Sequence, residues 1–270
     1  MLLFRGITGE RKVDMKAIIL AGGKGTRLSE ETLLKPKPLV EIGEMPILWH
    51  IMKYYSSFGI NDFVICCGYK SYMIKEYFAN YFLYCSDVTF NMAENTMEVL
   101  KKKVEPWRVT LINTGLETLT GGRLKCVKDY VGDESFCFTY GDGLSDVNIT
   151  QLIDFHKKHK KIATVTVSKH QSRYGVISAD HDLVTQFSEK PIMENSWMNS
   201  GFFVFEPAVF DYLPKEDTMF EKEPMQQLIR SGQLCAYRHD GYFQSMDSLR
   251  DKMILEDLWQ RGEAPWKVWP

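Results

Sequence analysis

The stretch "KAIILAGGKGTRLSEETLLKPKPLVEIG", from Lys16 to Gly43, joins an apolar run to a glycine-rich cationic loop and a lysine-proline segment. The run "KAIILA" is short and almost wholly apolar, which is typical of a parallel β-strand buried on both faces. In the loop after it, glycines permit positive φ angles and let backbone N–H groups approach an anion. Together these features predict an open α/β sheet with an anion-binding loop behind its first strand.

Strand-like and helix-like segments alternate along the rest of the chain. The first helix-like segments are "MPILWHIMKYYSSFG", with Pro46 in its first turn, and "SYMIKEYFANYF", with Ser71 as its N-cap. Shorter strand-like segments follow "ATVTVS". The alternation predicts βαβ units, and hence a three-layer, Rossmann-like, mostly parallel sheet with added antiparallel strands.

Composition limits the classes of function. The chain has 270 residues, of which 44% are hydrophobic and 25% charged, and its net charge is −2. We expect a single globular domain over 15–270, with 1–14 as an N-terminal extension outside the fold. The low net charge argues against a nucleic-acid partner or a membrane partner held by bulk electrostatics. No apolar run approaches the ~20 residues of a membrane helix. The six cysteines lack metal-like spacing, which favours a reducing cytoplasm.

The glycine loop matches neither of two common phosphate-binding motifs. The dinucleotide-binding fingerprint would need a glycine at Leu28, and the P-loop needs Gly-Lys-Ser/Thr after a longer spacer. Lys24 and Arg27 still place positive charge in the loop, and the planar guanidinium of Arg27 can hold phosphate oxygens. A structural glycine turn that binds nothing is the alternative for the loop taken alone.

The segment "KPKP" strengthens the case for anion binding. Its prolines fix φ, so we expect Lys35 and Lys37 to lie on a stiff, extended segment and to point in related directions.

At this point the sequence resembles the sugar-1-phosphate nucleotidylyltransferases. The resemblance is carried by "LAGGKGTRL…KPKPLVEIG", by "YGDG" at 140–143, by "SEKP" at 188–191 and by "MDSLRD" at 246–251. It covers Met15 to Pro270. The segments "SEET", "TGGRL" and "APWK" are most similar to the branch of the family that uses CTP and glucose 1-phosphate. Lys24 departs from the pattern, which has an apolar or small residue there, and "SKH" at 168–170 departs too.

The resemblance implies transfer of a cytidylyl group from CTP to α-D-glucose 1-phosphate, with Mg²⁺, to give CDP-D-glucose and pyrophosphate for dideoxyhexose and surface-polysaccharide synthesis. Arg27 and Lys37 would then be catalytic. Glu189 and Lys190 would bind the sugar phosphate, and Asp142 and Asp247 would bind the metal, with Ser248 free to cap the last helix. The nucleotide would contact Leu20, Ala21, Gly22, Gly23, Lys24, Gly25, Thr26, Arg27, Lys37, Thr118, Gly122 and Arg123. We also expect a homo-oligomer.

Two other functions fit the same residues. One is a uridylyl- or thymidylyltransferase, and the other is a non-catalytic regulatory subunit that binds sugar nucleotides. The second should have lost Arg27, Lys37, Asp142, Lys190 or Asp247, and all are present. Other candidate residues carry less chemistry. The pattern predicts a solvated face for His156 and His159 and a structural role for His50, and it leaves Trp259, Trp266 and Trp269 between the core and a neighbouring subunit.

Overall fold

The structure, a computed structural model, describes residues 15–101, 104–171, 176–180, 183–188, 192–215 and 217–270. Within these ranges the side chains of Arg27, Ser29, Glu30, Lys101 and 170–196 lie outside the description. Expectations for 1–14, Glu189 and Lys190 therefore also fall outside the described residues.

Strands and helices alternate over most of the described chain. The strands are β1 (Lys16–Ala21), β2 (Glu41–Ile42), β3 (Met45–Pro46), β4 (Asp62–Cys67), β5 (Asp87–Asn91), β6 (Thr96–Lys101), β7 (Arg108–Asn113), β8 (Phe136–Tyr140), β9 (Gly143–Ser145), β10 (Ala163–Gln171), β11 (Val176–Asp180), β12 (Leu183–Ser188), β13 (Ile192–Phe205), β14 (Leu234–His239) and β15 (Phe243–Ser245). The α-helices are α1 (Ser29–Thr32), α2 (Ile47–Ser56), α3 (Ser71–Ala79), α4 (Tyr81–Cys85), α5 (Thr120–Cys126), α6 (Lys128–Val131), α7 (Ile149–His159), α8 (Glu223–Arg230) and α9 (Leu249–Gln260). Short 3₁₀ turns cover Thr26–Leu28, Lys37–Leu39 and Pro207–Tyr212.

Seven strands form the central sheet in the order β14-β10-β13-β8-β1-β4-β7. The pairs β8/β1, β1/β4, β4/β7 and β14/β10 are parallel, whereas β13 runs antiparallel to both of its neighbours. The chain proceeds from β1 outward to β4 and β7 and then returns to place β8 on the other side of β1. This reversal opens a crevice beside the carboxyl end of β1, which is where ligands bind in sheets of this kind.

Alternation of side chains along β1 divides the core into two layers. Ile18 and Leu20 point into a cluster with side chains of α5, α6 and α8. Ala17 and Ile19 point into a second cluster with side chains of α2, α7 and α9. Because β1 is buried on both faces, its apolar run has no polar alternation. The predicted three-layer, mostly parallel sheet with added antiparallel strands is confirmed.

Several local predictions need correction. Lys70, in a left-handed conformation (φ 48°), takes the N-cap position of α3 that was predicted for Ser71, and it makes no side-chain cap. Pro46 precedes α2 rather than occupying its first turn. The hairpin of β5 and β6 was not predicted.

The histidines of α7 do not form a solvated face. His156 is buried, with its ring nitrogens 2.8 Å from Thr164 Oγ1 and 3.1 Å from Glu206 Oε1. His159 lies 2.6 Å from the same Thr164 hydroxyl. The predicted solvated position is therefore wrong for the buried His156, whereas His159 is half-buried. The predicted N-cap of this helix, Asn148, is confirmed by a 3.0 Å hydrogen bond from Gln151 N.

The C-terminal tryptophans pack within the chain, around His50. Trp266 is fully buried, and the rings of Trp259 and Trp269 lie 4.6 and 6.3 Å from that of His50. His50 Nε2 donates to the Ile42 carbonyl at 2.9 Å, and Nδ1 accepts from Trp266 Nε1 at 3.4 Å. This confirms the structural role expected for His50. Among the described residues, the structure has no helix that is long and apolar enough to cross a membrane.

Candidate active site

A crevice of about 550 Å³ opens at the carboxyl ends of β1 and β8. Most of the predicted nucleotide-binding and metal-binding residues line it: Leu20, Ala21, Gly22, Gly23, Lys24, Gly25, Thr26, Lys37, Thr118, Arg123, Asp142 and Asp247. The backbone of Arg27 lies in the turn beside the crevice, and its side chain is outside the description. Glu189 and Lys190 are outside the described residues altogether, so their predicted role stays a prediction.

The loop after β1 needs its glycines for two physical reasons. Gly25 has a positive φ of 63°, and its carbonyl accepts from Leu28 N at 3.0 Å to close the turn. A Cβ atom on Gly22 would stand 2.1 Å from Arg123 Nη1. Gly22 therefore permits the loop to pass directly against a buried guanidinium, which an alanine would block.

Lys37 lies between two carboxylates. Its Nζ is 2.6 Å from Asp142 Oδ2 and 2.9 Å from Asp247 Oδ1, and the side chain is only 12% exposed. Burial alone would lower the pKa of Lys37, but the two carboxylates outweigh burial and hold that pKa above its usual value. The site therefore keeps a charged ammonium group at the crevice, between the two predicted metal ligands.

The lysine-proline segment differs from its prediction. It is not extended throughout, since Lys37 begins a 3₁₀ turn after Pro36 (φ −66°, ψ 147°). Lys35 pairs with Glu41 at 2.8 Å and does not line the crevice. The proline fixes the entry to the turn, and the turn sends the two lysines to different partners. Only Lys37 is part of the site.

A short antiparallel ladder brings Asp142 and Asp247 together across 105 positions. Gly143 in β9 pairs with Ser245 in β15, and Met246 N donates to the Asp142 carbonyl at 2.8 Å. Ser245 Oγ also donates to Asp247 Oδ2 at 2.9 Å. Ser248 caps α9 in a capping box with Asp251, which confirms that the cap does not depend on Asp247.

These two carboxylates suit a divalent cation. Both already converge on one cationic atom, Lys37 Nζ. In the part of the chain that the structure describes, no group of three or more His, Cys, Asp or Glu side chains could hold a metal by itself. Mg²⁺ commonly takes one or two carboxylates and completes its shell with water and phosphate oxygens, so the residues present fit Mg²⁺.

The buried side chain of Arg123 holds the loop after β7 in place by hydrogen bonds. Its guanidinium donates to Thr114 Oγ1 at 2.7 Å, to the Gly115 carbonyl at 2.8 Å and to the Leu116 carbonyl at 3.2 Å. Burial lowers its pKa. The hydrogen bonds fix the loop after β7 and so position Thr118. Gly122, by contrast, does not line the crevice, and its N–H donates to the Thr218 carbonyl at 3.0 Å.

Two further features were missed by sequence reasoning. Lys24 Nζ pairs with Glu117 Oε1 at 2.7 Å, which joins the loop after β1 to the loop after β7.

The second feature is Glu221, whose carboxylate accepts from Tyr140 OH, and from Thr120 Oγ1 at 2.6 Å. Burial, followed by the Glu221 carboxylate, raises the pKa of Tyr140. Nothing in the sequence around Glu221 indicated that it would lie behind the crevice, because its partners are about 80 and 100 positions away along the chain.

The chain is similar to known nucleotidyltransferases in sequence, and it is similar in fold to a solved structure. A sequence model described as "Nucleotidyl transferase" matches residues 16–259. Glucose-1-phosphate cytidylyltransferase of Salmonella typhi is 58% identical over 94% of this chain and all of its own length. Mannose-1-phosphate guanyltransferase of Candida albicans is 30% identical over 88% of this chain and 62% of its own. The crystal structure of HddC from Yersinia pseudotuberculosis superimposes with a TM-score of 0.68 at 22% identity, covering 91% of this chain and 99% of that one. This likeness supports the nucleotide-diphospho-sugar transferase fold.

Proposed function

The chain belongs to the nucleotidyl transferase family, and from this premise we propose that it transfers a cytidylyl group from CTP to α-D-glucose 1-phosphate, releasing pyrophosphate and CDP-D-glucose. The observation that carries the proposal is the crevice itself, where a glycine loop, Lys37 and two convergent carboxylates meet at the carboxyl ends of β1 and β8. The choice of cytosine and glucose rests on the 58% identical relative of that name.

The reaction requires one phosphate oxygen to attack another phosphorus while pyrophosphate departs. Both reactants are anions, so the protein must mainly neutralise charge and align them. The backbone N–H groups of Gly22 to Thr26 and the Arg27 side chain would hold the β- and γ-phosphates. Lys37 would approach the α-phosphate, and Lys190, with Glu189 beside it, would hold the sugar phosphate. No base is needed, because the attacking phosphate is already ionised near neutral pH.

Asp142 and Asp247 would hold Mg²⁺. When bound, the ion would supply positive charge that offsets the phosphate oxygens of the nucleotide. In the protein alone, Lys37 supplies the cation for these carboxylates. We therefore propose that Lys37 turns from the carboxylates towards the α-phosphate when substrate and metal occupy the crevice.

A pyrophosphate-release assay tests the proposed function. Four nucleoside triphosphates would be crossed with a panel of sugar 1-phosphates, with and without EDTA. We expect the highest kcat/KM with CTP and glucose 1-phosphate and loss of turnover in EDTA. Turnover with UTP or dTTP but not with CTP would favour the alternative transferases. No turnover with any pair would favour a regulatory, sugar-nucleotide-binding role.

The remaining proposals concern the setting of the enzyme. We propose a single catalytic domain over 15–270, because the family match begins at residue 16, where β1 begins. The six cysteines, all within the described residues, form no disulfide, which supports a reducing cytoplasm. We also propose a homo-oligomer whose product feeds dideoxyhexose synthesis for lipopolysaccharide O-antigen, and light scattering would measure its size.

A further inference from the structure

Glu117 lines the crevice from the loop after β7. It follows β7, whereas Asp142 follows β8, and the order β8-β1-β4-β7 separates these strands by three strand spacings. At about 4.8 Å per spacing, the carboxyl ends of β7 and β8 are roughly 14 Å apart. If the phosphates lie beside Lys37 and Asp142, a nucleotide along this edge places its base beside the loop of Glu117.

Most acceptors on that loop are already engaged by Arg123. Its guanidinium donates hydrogen bonds to the carbonyls of Gly115 and Leu116 at 2.8 and 3.2 Å. Its backbone N–H donates to the Leu119 carbonyl at 2.9 Å. These carbonyls therefore point to Arg123 rather than to a ligand. The Glu117 carboxylate also lines the crevice, and its side chain is 75% exposed. A charged acceptor is thus present on the loop after β7, where the base would lie.

We infer that Glu117 is the residue that selects cytosine among the pyrimidines, an inference that rests on the proposed function. Cytosine carries an exocyclic amine, which donates a hydrogen bond to a carboxylate oxygen. Uracil and thymine carry a carbonyl oxygen at the same ring position, which would face the carboxylate as a second acceptor. One side chain therefore both attracts the correct base and repels the wrong ones.

Lys24 positions Glu117 for this role. The 2.7 Å contact between Lys24 Nζ and Glu117 Oε1 joins two loops that both line the crevice. The ammonium group also offsets the negative charge that Glu117 adds to a site for an anionic nucleotide. Because Lys24 takes only one oxygen in this contact, the other oxygen can accept from the base. Lys24 lies between Gly23 and Gly25, so its backbone can adjust as nucleotide enters.

The test compares wild type with Glu117→Gln, which keeps size but removes the charge and presents an amide. Each protein is assayed with CTP, UTP and the 2-pyrimidinone riboside triphosphate, which lacks the exocyclic amine. Calorimetric Kd values for the same nucleotides give a readout independent of turnover. Glu98→Gln, an exposed glutamate on β6, is the matched control and should behave as wild type.

We expect Glu117→Gln to lower the CTP/UTP ratio of kcat/KM and of affinity by at least about tenfold, as loss of a hydrogen bond to a charged group does. The penalty that wild type shows for the amine-less analogue should shrink by a similar factor. Wild type that prefers CTP, with an unchanged ratio in Glu117→Gln, would overturn this inference and leave the proposed function intact. Equal losses for CTP and UTP would overturn it too. Wild type that does not use CTP would instead overturn the proposed function.

Discussion

In the proposed reaction, Lys37 would have one set of partners in the empty site and another in the occupied site. In the free protein its ammonium group lies between Asp142 and Asp247. Any cation bound there would displace that group, and the nearest anion for it to meet would be the triphosphate. The ammonium group would thus neutralise the two carboxylates in the empty site and the triphosphate in the occupied site.

Replacing Lys37 should therefore affect chemistry strongly. We expect Lys37→Ala to lower kcat/KM, because an oriented charge contact is lost. The loss should correspond to about 2–4 kcal/mol of transition-state stabilisation. Lys35→Ala is the matched control, since Lys35 pairs with Glu41 outside the crevice, and it should retain turnover. Steady-state kinetics on both variants check this. Near-normal turnover in Lys37→Ala would contradict the assignment.

His50 should make the stability depend on pH. Burial lowers its pKa from the ordinary 6.5 to about 4, so the folded state favours the neutral ring. The stabilisation from the neutral ring is fully present above pH 6.5. Between pH 6.5 and about 4, protonation in the unfolded state lowers the free energy of unfolding by about 1.4 kcal/mol per pH unit. Denaturant unfolding of wild type and His50→Gln should show that extra slope only in wild type. Parallel curves would exclude His50 as its source.

At the scale of single elements, patterns of buried apolar residues were readable from sequence, whereas local turns were not. Strand β1 was readable because both of its faces are buried. The hairpin β5/β6 was missed because Phe90, Met92 and Met97 are exposed there, so its apolar residues mark no buried face. The split of Lys35 from Lys37 was missed because a 3₁₀ turn, not the prolines alone, directs their side chains.

The start of α9 separates capping from metal binding. Ser248→Ala should lower the free energy of unfolding by about 1 kcal/mol, as loss of a serine cap does, and leave turnover nearly intact. Asp247→Asn should abolish metal-dependent turnover and change stability by no more than about 1 kcal/mol. Each variant serves as the control for the other, measured by thermal unfolding and pyrophosphate release. If Asp247→Asn retained turnover, the metal assignment would fail.

At the scale of the whole molecule, the sheet order gathers the site from distant parts of the chain. Loops after β1, β7 and β8 line one crevice, and β15 carries Asp247 to it. The glycine loop and Asp142 follow the apolar strands β1 and β8, whose carboxyl ends lie on one edge of the sheet, whereas Thr118, Arg123 and Asp247 were indicated by the family resemblance. Contacts such as Lys24 to Glu117 depend on which strands are neighbours, and no local pattern encodes that order.

The proposed nucleotide and Mg²⁺ would contact loops that follow three strands of the sheet, so their binding should stabilise the folded state. A ligand at 100 times its Kd adds about 2.7 kcal/mol to the free energy of unfolding, which for a chain of this size raises Tm by several degrees. We expect a large Tm rise with CTP and Mg²⁺ together. With CTP in EDTA the rise should be smaller, because Asp142 and Asp247 would then face the phosphates without a metal. In Asp142→Asn, one of the two proposed metal ligands is removed, so most of the Mg²⁺-dependent part of the Tm rise should be lost.

Differential scanning fluorimetry over a CTP titration measures the Tm with and without Mg²⁺ in both proteins. An Mg²⁺-dependent shift of equal size in wild type and Asp142→Asn would show that the ion binds CTP without using this carboxylate.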